Sequence, residues 1–419
     1  MLRHVHAISA SDGDGITSCH GAMTMPDKKD SLLDNFLALT KVASPSRRER
    51  EVAKILARRI REMGYEPLED DTGQAIGGDC GNIVVKVPAN GGGPNLLLSA
   101  HLDTVEKVGE PSAVPEVEGS IVRRQGGGIL GADDKAGVAA LLELLSKLKS
   151  GKKKHGELLF VFTVAEEVGS LGAQELDPQL YRHLEGGIVL DYSRPNEIVV
   201  AAPTRVIFKI VFHGIAGHAS APDRKINAAH VMAKTLAVMP SGRLDEHTTA
   251  NIGIARAGSA VNVIPEKAYV EYEIRSHRKD VLDFHVKRIL GIIEGVVREN
   301  RIFAFADADK LALGDGKTQI DAVLSSSVDV EVEVSFEGFR IPEDDKLVVM
   351  AKKAVEKANL EPVLITTLGG SDANILNKRN LPCLVMGCGM HGAHSQSEYA
   401  NIKEMKDIVE ILVNLVKGS

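Results

Sequence analysis

The chain has 419 residues, 44% of them hydrophobic and 26% charged, with a formal net charge of −7 and a mean hydropathy of −0.03, which is room for about two or three soluble domains. With 57 acidic against 50 basic residues, 10 Phe, 6 Tyr and no Trp, it has neither the basic surplus nor the aromatic platforms of a nucleic-acid binder. No apolar run approaches the roughly 18 residues of a membrane span, and Cys19, Cys80, Cys383 and Cys388 form no CxxC pair, so they read as buried free thiols of a reducing, cytosolic compartment.

Residues 1–25 lack the apolar stretch of a signal peptide and any helical or strand periodicity. A disordered extension is expected there, with Met25 as an alternative natural start. From Pro26 the pattern turns regular. DSLLDNFLALTKVA reads as a short amphipathic helix, and SPSRREREVAKILARRIREMGY as a second, with serine caps, a proline in its first turn and Gly64 at its end. NIVVKV and NLLLSA read as strands about the turn PANGGGP. DKAGVAALLELLSKLKSG is a helix, and ELLFVFTV and GGIVLD are strands. Strands apolar on both faces, alternating with helices, predict an α/β fold with a mixed, mostly parallel sheet flanked by helices.

Near residue 204 the texture changes. RVIFKIVFHG alternates as a half-exposed strand should, and the helix KINAAHVMAKTLAVM follows. Strands TTANIGIARAG and KAYVEYEIRS, helix VLDFHVKRILGIIEGVVREN and strand VDVEVEVSFEG complete a βαββαβ order, that of a two-layer module with one open sheet face. After FRIPEDD the first texture returns with helix KLVVMAKKAVEKAN, strand PCLVMG and helix KEMKDIVEILVNLV. The expected organisation is a core domain of residues 26–203 and 341–419, interrupted by an inserted lid or dimerisation module at 204–340.

Acid and imidazole groups recur directly after strand-like runs. LLLSAHLDTV carries His101 and Asp103, and an H-x-D at a strand end places both groups on one side of the pleat. GGGILGADDKAG carries Asp133 and Asp134 just before a helix, where a carboxylate also has the plain role of a cap. Its glycines spell GxGxxG, but no apolar strand is expected before them and no strand-end acid follows at the distance a dinucleotide site needs. LLFVFTVAEEVGS ends in adjacent carboxylates, Glu166 and Glu167, a repulsive pair unless something positive stands beside them. GGIVLDYS adds Asp191, and GMHGAHSQSEY adds His391 and His394. Singly, each suits a cap, an ion pair or a solvated loop. Together they supply imidazoles and carboxylates to loops that gather in one crevice of an open α/β sheet, a donor set suited to catalytic zinc.

The ordered motifs SAHLDTV, GADDKAG, AEEVGSLGA, VLD, GIAGHAS, NVIP, GGSDAN and HSQSE resemble the two-zinc hydrolases that include peptidase T, aminoacylase and glutamate carboxypeptidase, most of all the peptidase T-like branch. The resemblance runs from residue 30 to the end. It implies that His101 and Asp191 hold one Zn2+ and Glu167 and His394 the other, with Asp133 bridging, and that Co2+ or Mn2+ can substitute. It also implies that Asp103 orients His101, that Glu166 is the general base, and that the Asp133–Asp134 peptide is cis. His394 is preferred to His391 because its spacing to Glu398 and the last helix matches the family. His218 aligns with a catalytic histidine that reaches across a homodimer, although a turn histidine would look the same. Asn262, Arg275, Gly370 and Ser371 match substrate-contacting positions, with a paired surface arginine as the plain alternative for Arg275.

The function implied is hydrolysis of the N-terminal peptide bond of tripeptides in the cytoplasm. Carboxypeptidase and N-acyl amino acid deacylase activities share the same ligands, and a non-catalytic peptide-binding protein is the alternative of another class. One departure from the family is the long connection RIFAFADADKLALGDGKTQIDAVLSSS, residues 301–327.

Overall fold

The computed structural model describes residues 30–308, except 107 and 224, and residues 328–418. The expected extension at 1–25 and Cys19 lie outside the described residues, as does 309–327 of the long connection.

Four strands form a parallel centre, in the order Leu158–Thr163, Leu96–His101, Gly186–Tyr192 and Cys383–Gly387. The first two and the last are buried along their whole length, as strands covered on both faces must be. Antiparallel strands extend the sheet on either side. Ile83–Val87 and Leu68–Glu69 lie beyond one edge, and Glu197–Ala202 and Phe339–Arg340 beyond the other. Val363–Thr366 adds to Glu197–Ala202 in parallel. Helix Ala132–Leu148 is buried without a break from Ala132 to Leu142, in keeping with a sequence apolar on nearly every side. Helices Ser31–Thr40 and Ile402–Lys417 pack against it, and Lys346–Lys357 against the latter. The mixed, mostly parallel, helix-flanked sheet is the expected α/β fold.

A second sheet is wholly antiparallel, in the order Gly242–Asp245, Thr248–Ala257, Lys267–Ser276, Thr204–His213 and Val328–Phe336. Alternate residues of Thr204–His213 and Lys267–Ser276 are buried. They build a separate apolar core with helices Ala228–Val238 and Lys279–Ala308, centred on Phe208, Ile210, Val270 and Ile289. Strand Gly242–Asp245 was not expected. It forms because GRLD pairs back on Thr248–Ala257 through a short bulged turn. The following helix runs to Ala308, beyond the expected stop at Asn300. Phe336, the last residue of this sheet's edge strand, packs on Ala173 and Ile375 of the first one's surroundings.

One further expectation holds and two need correction. The strand before the GxGxxG glycines, Ile121–Arg124, is not an apolar one: it ends in two arginines and pairs antiparallel with Pro115–Glu118. It belongs to a small separate sheet with Tyr399–Asn401 and Met390–His391, so it is no part of a nucleotide-binding βαβ unit. The serines before helix Arg50–Glu62 are not its caps, and Pro45 is not in its first turn. Ser44 Oγ donates to the Leu102 carbonyl at 2.8 Å and Ser46 Oγ to Asp103 Oδ2 at 2.6 Å, while Pro45 bridges to Thr104. These hydroxyls satisfy buried acceptors at a strand end rather than the helix.

The N-cap position belongs to Glu49, fully buried, which makes no side-chain bond to that helix. Its Oε1 accepts from the main-chain N–H of Arg47 at 2.8 Å and Ala165 at 2.9 Å. Its Oε2 is buried with no partner among the described residues. Burial, and then the charge of Asp103, push the carboxyl from 4.5 up to about 7. The native state therefore binds this proton more tightly than the unfolded chain does, and the stability it confers below pH ~4.5 is lost as pH rises through ~7. Glu49→Gln keeps an acceptor for both N–H groups and removes the charge. Its stability relative to the parent should rise between pH 5 and pH 8 by about 1–3 kcal/mol in paired denaturant titrations. A difference independent of pH would show that Glu49 titrates normally.

Candidate active site

The site is built at the C-terminal edge of the parallel centre, where loops of an open α/β sheet converge. His101 ends strand Leu96–His101, Glu166 and Glu167 follow Leu158–Thr163, and Asp191 lies near the end of Gly186–Tyr192. His394 sits in the loop after Met390–His391, and Asp133 at the start of helix Ala132–Leu148. His101 and Asp133 are buried, Glu166, Glu167 and Asp191 half-buried, and His394 exposed.

Asp133 stands between the two imidazoles. Its Oδ1 lies 3.0 Å from His101 Nε2 and its Oδ2 3.3 Å from His394 Nε2. His394 Nε2 is also 2.8 Å from Glu167 Oε1, and His101 Nε2 is 4.0 Å from Asp191 Oδ1. The donor atoms of His101, Asp133 and Glu167 all fall within 4.8 Å of one another, as do those of His101, Glu166 and Asp191. Glu166 is thus as near to His101 and Asp191 as a ligand would be, although the family resemblance keeps it off the metals. The structure separates the two C-terminal histidines. His391 Nε2 faces Glu404 Oε2 at 2.5 Å and its ring stacks on Tyr399, away from the cluster.

Electrostatics point to missing positive charge. Among the described residues no Lys or Arg pairs with Asp133, Glu166, Glu167 or Asp191; their only cationic partners are the two imidazoles. Burial, and then repulsion by neighbouring acids, raise the carboxyls of Glu166 and Asp191 well above the usual range. Burial also raises Glu167, against the pull of His394. His394 is driven up to about 10 by its hydrogen bonds to Asp133 and Glu167. Burial opposes protonation of His101, but Asp103 and Asp133 outweigh it and raise the group well above its ordinary value. Two imidazoles and several carboxylates without a fixed cation form a donor set that fits two divalent ions of the zinc class.

The neighbouring groups hold these side chains in place. Asp103 accepts from the N–H of Glu166 at 2.9 Å and of Glu167 at 3.1 Å. Its carboxylate is 3.4 Å from His101 Nδ1, which lies closer, at 3.0 Å, to the Asp103 main-chain oxygen. Asp103 therefore fixes the glutamate turn as well as the imidazole. The Asp133–Asp134 peptide is cis, as the resemblance implied. The capping role open to Asp133 falls to Asp134, whose Oδ1 accepts from Gly137 N–H at 3.1 Å while its Oδ2 accepts from His101 N–H at 3.0 Å.

Two groups that sequence reasoning missed lie around Glu166. Ser170 Oγ donates to Glu166 Oε1 at 3.0 Å, and buried Asp372 accepts from Thr163 Oγ1 at 2.6 Å. Asp372 carried a signal, in the helix-start pattern of GGSDAN. Ser170 carried none.

The remaining candidates lie apart from the cluster. His218 is exposed on a two-strand ribbon, paired with Val263, and its Nδ1 meets Ser220 Oγ at 2.7 Å and accepts from Ser220 N–H at 3.2 Å. Asn262 is exposed in the same ribbon, its carbonyl accepting from Ala219 N–H. Arg275 pairs with Glu273 at 3.1 Å and donates to the Leu368 carbonyl at 3.2 Å, which sets it beside the Gly370–Ser371 loop. Gly370 abuts the Phe336 ring so closely that a Cβ would lie 2.1 Å from it. Ser371 Oγ is engaged as the N-cap of helix Asp372–Lys378.

The model of peptidase family M20/M25/M40 matches residues 97–418. YqjE of Bacillus subtilis, itself uncharacterised, is 30% identical over 387 residues, 92% of this chain and 97% of its own. The structure of aminopeptidase PepT from Bacillus cereus is similar at a TM-score of 0.75 and 31% identity, covering 93% of this chain and 98% of that one. A tripeptidase from Staphylococcus aureus is similar at a TM-score of 0.78 and 30% identity, covering 92% and 97%. Matched over this length and in this fold, the chain belongs to peptidase family M20/M25/M40, as a peptidase T-like member.

Proposed function

We propose that this chain is a cytosolic two-metal exopeptidase that removes the N-terminal residue of short peptides, tripeptides foremost. The observation that carries it is Asp133, whose two carboxylate oxygens each face a different imidazole, the arrangement a carboxylate bridging two cations requires. Similarity to an aminopeptidase and to a tripeptidase supports the direction of cleavage.

In this reading His101 and Asp191 would hold one ion and Glu167 and His394 the other, and Asp133 would be shared by both. Zinc fits the mixed nitrogen and oxygen donors, with cobalt or manganese as substitutes. When bound, the ions supply Lewis acidity toward the scissile carbonyl and make water acidic near neutral pH. Glu166 takes the proton of the attacking water and passes it to the leaving amine. Ser170 and the N–H bonds to Asp103 keep its carboxyl aimed while Glu167 serves as ligand. Asn262, Arg275, Gly370 and Ser371 contact the substrate. His218 donates to the developing oxyanion of a neighbouring subunit's site, in a homodimer formed through the inserted module. Residues 26–203 with 341–419 form the catalytic domain and 204–340 the insert, a division supported by the two separate apolar cores.

The test is to supply dipeptides, tripeptides and N-acetylated tripeptides and to identify the products, with chelator and zinc or cobalt controls. Free N-terminal residue is expected foremost from tripeptides, lost with chelator and restored by metal. Release of the C-terminal residue or of the acyl group would reassign the enzyme as a carboxypeptidase or deacylase, and no turnover at all would favour a binding protein. Glu166→Gln should lower kcat roughly 10²–10⁴-fold with both ions retained by elemental analysis. Loss of one ion would instead make Glu166 a ligand. His218→Ala should lower kcat roughly 10²–10³-fold at unchanged metal content, and near-parental kinetics would remove it from the site.

A further inference from the structure

We infer that Glu398 is a positioning residue that sets the spacing between Asp133 and His394, and through it the affinity of the metal position those side chains share with Glu167. The inference rests on the two-metal reading above. Glu398 is only 3% exposed, and its carboxylate is consumed by main-chain donors rather than turned to the cluster. Oε1 accepts from Asp133 N–H at 3.1 Å, and Oε2 from the N–H groups of Gly131, at 3.0 Å, and Leu130. A carboxylate offers about four acceptor positions, so these bonds leave little capacity to ligate an ion directly.

The bonds span two loops that meet nowhere near each other in sequence. Residues 130–133 form the turn that presents Asp133, entered through Gly131 in the left-handed region at φ 75°. Residues 391–398 form the loop that presents His394, and Glu398 closes it through its own N–H, which donates to the Ser395 carbonyl at 3.3 Å. Gly128 N–H adds a second tie, donating to the Gln396 carbonyl at 3.0 Å. A single carboxylate therefore clasps the Asp133 turn to the root of the His394 loop. Asp133 Oδ2 and His394 Nε2 come to 3.3 Å although His394 itself is exposed and has few other restraints. His101 and Asp191 sit on adjoining parallel strands and do not depend on the clasp.

Glu398→Gln offers one oxygen and two N–H groups where three N–H donors need acceptors, so the clasp opens on one side. Groups that orient metal ligands typically change affinity about 10–100-fold. The full chain, stripped of metal and titrated with Zn2+ against a chromophoric chelator, should bind two ions in the parent. In Glu398→Gln one of the two steps should move by about 10–100-fold and the other, which shares Asp133 but is otherwise held by His101 and Asp191, by a clearly smaller factor. The Co2+ visible spectrum should change most in the displaced step. A purely structural role would lower the melting temperature of the metal-free protein and leave both steps unmoved. Unmoved steps, or equal displacement of both, overturn the inference. Glu398→Asp, too short to reach both loops, carries the same test if the glutamine variant does not fold. A parent that binds fewer than two ions would sink the two-metal reading itself, and this inference with it.

Discussion

The sharing of one buried carboxylate between two imidazoles is the constraint on which the site depends. Asp133 can meet His101 with one oxygen and His394 with the other only because its backbone is not helical. At φ −79° and ψ 106° it is held off the helix that follows, and the capping bond passes to Asp134. Two neighbouring aspartates thus divide the labour: one stabilises the helix start and anchors the His101 main chain, and the other is free to face the cluster. Exchange of those roles would turn the bridging oxygens into a cap and leave the imidazoles with no common partner.

The same constraint explains why so many acids can be buried together. Removing charged groups from water is expensive unless they are paired, and here the described pairing is with histidine only. Burial favours the protonated carboxyl of Glu166, while the carboxylates beside His101 and His394 favour the protonated imidazoles. Metal ligation requires neutral imidazole and ionised carboxylate, so metal uptake and proton release are coupled. The network is poised for that exchange: each group that burial disfavours as an ion lies beside another that a cation would satisfy.

Much of this was legible in the sequence because it lay in strand-end positions. Apolar runs such as LLFVFT announce buried parallel strands, and the polar residues after them have only one end of the sheet to occupy, so His101, Glu166, Glu167 and Asp191 could be gathered from periodicity alone. Groups held by loops were less visible. Ser46 looked like a helix cap, yet its hydroxyl goes to Asp103, since a serine before a helix has the same sequence signature whether it caps that helix or a distant carboxylate. Glu398 showed only as a spacing from His394, because its partners are main-chain N–H groups far back in the sequence, which no side-chain pattern records. Short edge elements such as Gly242–Asp245 escaped for a related reason: four residues carry too few alternations to establish a period.

The second core meets the first at residues 367–370, among other contacts. Arg275 donates to the Leu368 carbonyl, His277 meets the Thr367 carbonyl at 2.6 Å, and Phe336 fills the space left by Gly370. Directly after these contacts helix Asp372–Lys378 begins, and its first residue accepts the hydrogen bond of Thr163 at the end of the strand that leads to Glu166. Ser170, on the turn after that strand, donates its hydroxyl to Glu166. Packed and hydrogen-bonded groups therefore run from the inserted sheet to Thr163, three residues before Glu166. Any rearrangement of the second core must either break the bonds at 367–368 or carry that segment along. If it carries the segment, the helix start at Asp372 and the bond it accepts from Thr163 move with it. The inserted sheet and the strand that leads to Glu166 are in this way joined by short, well-packed connections.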